Sequence, residues 1–391
     1  MFARSAALVL VQCSTFYVLQ ARSNATAFIS RPVSAQSFRC FMSQFPQLLS
    51  IATAIPPHVL AQREVADAAQ RSFAGRFHDF DRVAAVFKSS GIRQRFAVRP
   101  IEWYLEPLGW SERTAAYLDG ARDLFIDAAT KALASAGIAA GDVDCVVTIS
   151  STGIATPSLE ARAAGRLGLR ADVERVPVFG LGCAGGVSGL SIASRLAQSR
   201  PGSVVLLVAV EICTLAFRLD ELSKANIVAT ALFGDGAAAC VLRADETGIA
   251  AVEMSGQHNW PDTLDIMGWN VDPQGFGVIF DRAIPPFAEE HVAAAITGIL
   301  GRAGLGLSDI DRFACHPGGA KVIAALERAL SLQQGSLDHE RAVLSEYGNM
   351  SAPTALFVLE RLIQSGLPLR TLLTAMGPGF TASCVSLTRA A

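Results

Sequence analysis

Three residues in this sequence carry side chains suited to acyl chemistry in surroundings that fix them: Cys183, His316 and Asn349. Cys183 lies in Val178-Phe-Gly-Leu-Gly-Cys-Ala-Gly-Gly-Val-Ser-Gly-Leu-Ser-Ile-Ala193, a glycine-crowded passage from a strand-like to a helix-like segment. A thiol at a helix start meets the positive end of the helix dipole, which favours thiolate and makes a nucleophile. The competing reading is a small core residue at a tight turn. His316 ends the apolar run Phe313-Ala-Cys-His and is followed by Pro317-Gly-Gly319, which puts the imidazole at a strand terminus where the backbone must turn. Alone, such a histidine is more often structural. Its neighbour Cys315 alternates to the opposite face and reads as core. Asn349, in Ser345-Glu-Tyr-Gly-Asn-Met-Ser-Ala-Pro353, precedes a helical run over 354–364 and could cap it. Taken together, a thiol that accepts an acyl group, an imidazole that activates it and an amide that donates to an oxyanion suffice for acyl transfer and carbon–carbon bond formation. The order Cys, His, Asn also fits a papain-like hydrolase, although the aromatic residue expected just after its cysteine is missing.

The elements that must position these residues show a duplication. Ala136-Gly-Ile-Ala-Ala-Gly-Asp-Val-Asp144, followed by the apolar run Cys145 to Ile149, recurs 167 residues later as Ala303-Gly-Leu-Gly-Leu-Ser-Asp-Ile-Asp311, followed by Arg312 to His316. Gly182-Cys183 and Gly348-Asn349 keep nearly that spacing, at 166 residues. Each precedes a hydrophobic strand-like run, Val204 to Val210 and Thr371 to Met376, and each half closes on another, Ala237 to Arg243 and Thr381 to Arg389. Strands alternating with amphipathic helices predict an α/β protein. We read residues 1–41 as an extension, 42–245 as a half carrying the cysteine and 246–391 as a half carrying the histidine and asparagine. Two matching helix starts near a pseudo-two-fold axis bring Cys183 and Asn349 toward each other. The Phe233-Gly-Asp-Gly236 turn is structural by composition, with Phe233 a candidate pocket wall.

Composition narrows the partners. The 33 basic and 35 acidic residues leave a net charge of −2 with no basic block, so nothing suggests nucleic acid. Eight cysteines without CxxC spacing read as thiols of a reducing compartment, neither a disulfide framework nor a metal site. No apolar run approaches the ~20 residues of a membrane helix. A cytoplasmic protein is expected. The stretch Ala6 to Leu19 faintly imitates a secretory signal, but Gln12, Ser14 and Thr15 dilute it.

Five motifs carry a resemblance: Gly182-Cys-Ala-Gly-Gly186, Phe233-Gly-Asp-Gly-Ala-Ala-Ala239, His316-Pro-Gly-Gly319, Ser345-Glu-Tyr-Gly-Asn-Met-Ser351 and Met376-Gly-Pro-Gly-Phe380. In this order they resemble the chalcone-synthase-like, or type III, polyketide synthases, and the resemblance reaches back to about residue 48. It implies a thiolase-like fold, two α/β halves packed as a five-layer αβαβα body, and a homodimer. It further implies an enzyme that loads an acyl-CoA on Cys183, extends it with malonyl-CoA and cyclises the product, with no metal or redox cofactor. An aromatic pair guards the pocket in plant members; here Phe233 supplies one partner, while the second position is Val278, which predicts a more open channel. Cys213 and Ala216 replace threonines of many plant members, and Thr156 stands where family dimers often extend a methionine. Thr152 and Ser351 complete the expected substrate contacts, and Arg82, Lys88 and Lys321 are candidates for coenzyme A phosphates. These departures predict long fatty acyl starters and alkylpyrone or alkylresorcinol products. An initiating β-ketoacyl-ACP synthase and a non-catalytic acyl-binding protein of the same fold are the alternatives.

Overall fold

A computed structural model describes residues 7–12, 15–20 and 45–389. Nine strands form the main sheet: β1 Gln47–Ala54, β2 Cys145–Ile149, β3 Glu174–Val178, β4 Val204–Ile212, β5 Asp235–Arg243, β6 Ala250–Asn259, β7 Arg312–Cys315, β8 Arg370–Gly377 and β9 Thr381–Thr388. Ten helices accompany them among the described residues: α1 Gln62–Phe73, α2 Phe80–Ser89, α3 Trp110–Ala136, α4 Leu159–Leu167, α5 Gly185–Ser199, α6 Lys224–Leu232, α7 Ile284–Gly301, α8 Ala320–Ala329, α9 Asp338–Tyr347 and α10 Ala352–Gly366. None of them is long and apolar enough to cross a membrane.

The strand order is β7-β8-β9-β6-β1-β5-β4-β2-β3. Either side of the β6–β1 junction the same sequence of pairings recurs. β2 runs parallel to β4, and β4 antiparallel to β5, which pairs with β1. In the other half β7 runs parallel to β8, and β8 antiparallel to β9, which pairs with β6. The halves join through Ala250 and Ala251 of β6 against Leu48 and Gln47 of β1.

Alternation along the strands builds the layers. In β4, Val204, Leu206, Val208 and Val210 face one core with α3, while Val205, Leu207 and Ala209 face another with α5 and α10. In β8, Leu373 and Ala375 turn to that same central core, and Leu372 and Met376 to a third beneath α7 and α8. Strands buried on both faces need continuous apolar runs, which is what β4 and β8 carry. The result is five layers: outer helices, sheet, the central pair α5 and α10, sheet, outer helices. The central pair packs closely, because Gly186 leaves no side chain where a Cβ would lie 2.2 Å from the Ala352 carbonyl oxygen. Cys183 and Asn349 each stand at the entrance to one of these two helices.

The extension expected over 1–41 lies mostly outside the described residues. Its two described strands, Ala7–Gln12 and Thr15–Gln20, pair antiparallel with each other. Cys13 and Cys40 also fall outside.

Candidate active site

β3 gives way to a glycine-rich turn in which Gly182 adopts a φ of 47°, with Pro378 packed where a side chain would begin. A short 3-10 turn, Gly182–Ala184, then runs into α5, leaving Cys183 at the helix entrance as its sequence predicts. Cys145, Cys213, Cys240, Cys315 and Cys384 are all buried; Cys183 alone among the described cysteines keeps partial exposure. The side chains of Ser351 and Asn349 lie close enough to its thiol to act on its ionisation. Burial pushes the thiol up to about 11, with those two contacts acting in the opposite direction.

Asn349 does not cap α10. Its main chain bridges to the Phe233 loop, donating to the Leu232 carbonyl at 2.8 Å and accepting from Gly234 N at 3.0 Å. Its carboxamide Oδ1 accepts from Ser351 N at 2.8 Å, and Nδ2 donates to the Gly318 carbonyl at 3.2 Å. Ser351, at φ 58° and ψ −127°, holds a conformation that costs a non-glycine residue energy and is typical of functional turns. His316 closes β7, its N–H donating to the Thr374 carbonyl of β8 at 2.8 Å. The imidazole is 5% exposed, yet neither ring nitrogen has a hydrogen-bond partner among the described residues. Burial lowers its pKa to about 4, so it rests neutral and can accept a proton. Its Cδ2 and Nε2 lie 3.7 and 3.8 Å from where a Cβ on Gly318 would be. The Asn349 amide thus binds the turn that carries the imidazole and lies beside the cysteine thiol.

The remaining expected residues divide. Cys213 and Phe233 line a cavity of about 30 Å³ with Arg95, Tyr104 and Thr214, whereas Ala216, buried in the same 3-10 turn, is not among its lining residues. The Thr152 hydroxyl is committed to Glu211, 2.7 Å from its carboxylate, and accepts from Ile212 N at 2.8 Å. Thr156 sits on an exposed loop of this chain. Val278 lies in a hairpin, Met267–Asp272 paired with Gly275–Phe280, and its cross-strand partner is Trp269. The Trp269 ring meets Phe233 edge-on at 6.2 Å, donates through Nε1 to the Ser151 carbonyl at 2.8 Å and stacks on Phe276 at 5.8 Å. Opposite Val278, the ring that meets Phe233 is thus the Trp269 indole of the neighbouring strand. Sequence reasoning missed Trp269, because hairpin register was needed to place it.

A larger cavity of about 680 Å³ borders Gly318, Gly319 and Leu232, beside the imidazole turn and the Phe233 loop. Arg82 and Lys321 line it, with Lys224 and Arg282, which the sequence did not single out, and one acid, Asp281. Lys88 does not line it. Arg82, Ala85, Val86 and Ser89 share the face of α2 toward the cavity, and Lys88, six residues beyond Arg82, falls well off that face.

Family models for chalcone and stilbene synthases match the chain, the N-terminal domain over residues 39–246 and the C-terminal domain over 251–388. The chain belongs to this family, the type III polyketide synthases. A 1,3,6,8-tetrahydroxynaphthalene synthase from Streptomyces peucetius subsp. caesius is 39% identical, covering 86% of this chain and 92% of that protein. A putative chalcone synthase from Bacillus subtilis is 35% identical, over 85% of this chain and 96% of that one. Among solved structures, the tetrahydroxynaphthalene synthase of Streptomyces coelicolor superposes with a TM-score of 0.83 at 29% identity, covering 88% of this chain and 99% of that one. CsyB complexed with CoA-SH superposes at 0.81 with 26% identity, covering 88% of this chain and all of that one. As a type III polyketide synthase the chain is an acyl-transferring, condensing enzyme with a thiolase-like fold, and the five layers described above are that fold.

Proposed function

We propose that this enzyme condenses malonyl-CoA onto an acyl starter held as a thioester on Cys183. The observation that carries the reading is the place of the Asn349 amide, hydrogen-bonded to Gly318 of the His316 turn and close enough to the Cys183 thiol to act on its ionisation. In loading, His316 takes the thiol proton as the sulfur attacks the acyl-CoA carbonyl, and free coenzyme A departs with a proton. In extension, the bond from the malonyl α-carbon to its carboxylate breaks, carbon dioxide leaves, and the electron pair passes to the thioester as an enolate. His316 and Asn349 donate hydrogen bonds to that oxygen. The enolate carbon then attacks the Cys183 thioester carbonyl and expels the thiolate, giving a β-ketoacyl-CoA one unit longer. These steps use only side chains of the chain and its thioester substrates.

Coenzyme A enters, on this reading, through the 680 Å³ cavity, with Arg82, Lys224, Arg282 and Lys321 at its phosphates. Phosphate suits such a cluster, and CsyB, of the same fold, is solved with CoA-SH. For the starter, Trp269 against Phe233 and a 30 Å³ void beyond, with room for little more than ordered water, favour a compact acyl group. The long fatty acyl starter, leading to an alkylpyrone or alkylresorcinol, is the second reading, favoured by the small residues at 213, 216 and 278. Mass spectrometry of products from malonyl-, acetyl- and C12-or-longer acyl-CoA decides between them. Preferential use of the longest starters would overturn the compact reading, and absence of carbon dioxide release from malonyl-CoA would overturn both.

The partner is a second copy of the chain. β3 is an end strand of the sheet and largely exposed, and Ile154 and Phe179 project beside it, 54% and 57% exposed. An open edge flanked by apolar side chains invites pairing.

A further inference from the structure

At the opposite end of the sheet the edge is closed from within. β7 is the other outermost strand, so the N–H of Cys315 points away from β8 to a side where no strand of the sheet follows. Glu340, fully buried on α9, accepts it through Oε1 at 2.9 Å, while Oε2 accepts from Arg312 Nη2 at 2.9 Å, at the start of the same strand. The next residue makes a second clamp of opposite sense. Arg341 donates from Nη1 and Nη2 to Glu327 at 2.6 and 2.8 Å, and Glu327, on α8, is likewise fully buried. One helix is thereby fastened to β7, which ends one residue before His316, and to α8, which begins directly after the His316-Pro-Gly-Gly319 turn. The far end of that helix, about 10 Å along its axis from the clamps, leads through Gly348 into Asn349.

We propose that Glu340 is a positioning residue for the condensation: by tying α9 to the last residue before His316, it sets the separation between the imidazole and the Asn349 amide. This rests on the reading above, in which the two groups hold one oxyanion together. A carboxylate suits the task because it supplies two acceptors in a fixed geometry, one for the strand edge and one for the arginine that pins the strand's other end. Burial raises Glu340, with Arg312 acting against that shift, so the pair is held in a dry interior where small displacements are resisted.

The test compares three measurements in the full chain: carbon dioxide release from malonyl-CoA, the alkylation rate of Cys183 by iodoacetamide, and the thermal midpoint. Glu340→Ala is expected to lower decarboxylation kcat about 10-fold or more while alkylation stays within about 3-fold of wild type, since misplacement costs the step that needs both donors. Glu340→Gln, which keeps an acceptor for the Cys315 N–H, is expected to recover most of the loss. Where Glu340→Ala does not fold, Glu340→Met keeps the volume without the acceptor and carries the same comparison. Parallel loss of decarboxylation and alkylation, or no loss at all, overturns the assignment while leaving the condensation reading intact. A wild type that never releases carbon dioxide overturns that reading instead.

Discussion

The carboxamide of Asn349 is oriented by its own surroundings: Oδ1 accepts from Ser351 N and Nδ2 spends one hydrogen on the Gly318 carbonyl, which leaves its second hydrogen for an oxyanion. Replacing Asn349 by alanine removes one oxyanion donor and is expected to cut malonyl-CoA decarboxylation by about 10²–10³-fold, while transfer of an acyl group to Cys183 continues. Trapping the labelled acyl-enzyme alongside carbon dioxide release checks both halves of that statement. A second residue-scale effect concerns pH. Glu211, fully buried with Ser151 N and Thr152 as partners, is raised to about 8 from an ordinary 4.5. Between those values the folded chain keeps a proton that the unfolded chain releases, so the contribution of Glu211 to stability falls as pH rises through the window. His316 works in the opposite sense on the acid side, remaining neutral in the fold from about 6.5 down to about 4 while the unfolded chain takes up a proton. Glu211→Gln is therefore expected to gain thermal midpoint relative to wild type progressively from pH 4.5 to 8, and to hold that gain above it. Midpoints that run parallel across the series would show that Glu211 stays ionised in the fold.

Between elements, the separation of α5 and α10 decides whether sulfur and amide meet. Gly186→Ala would drive a Cβ to 2.2 Å from a backbone oxygen that cannot swing aside. Overpacking of this kind costs about 1–3 kcal/mol. A lowered denaturant midpoint is expected, together with slower condensation, because the change parts the two helix entrances. Much of this scale was legible in the chain. Gly182 before Cys183, Pro317 after His316 and the 167-residue echo are local or periodic signals, and they placed a helix entrance, a strand end and a second helix entrance correctly. The indole opposite Val278 was not legible, since cross-strand register is set by the turn at 273–274 and no side-chain type announces it. Nor were Lys224 and Arg282. They reach the large cavity from separate elements, whereas Lys88 belongs to a helix that faces it yet sits on the wrong side.

For the molecule as a whole, the two ends of the nine-stranded sheet differ. One is sealed by a buried carboxylate, the other displays β3 with Phe179 and Ile154 beside a cavity of about 290 Å³. Phe179→Glu places a charge where a second copy would bury an aromatic ring, and light scattering is expected to report monomer in place of dimer. A wild type that is monomeric at micromolar concentration would remove the basis for that prediction.

The row of rings from Phe233 through Trp269 and Phe276 to Trp110, each within 6.2 Å of the next, has an optical consequence. Trp269 meets Phe233, which lines the small cavity with Cys213, so on the reading that a compact acyl group enters there its arrival changes what the indole's excited state senses. The chain thus holds its own fluorophore for loading. Stopped-flow emission on mixing with an acyl-CoA is expected to show a phase at the rate of acyl-enzyme formation, and Trp269→Phe is expected to silence it.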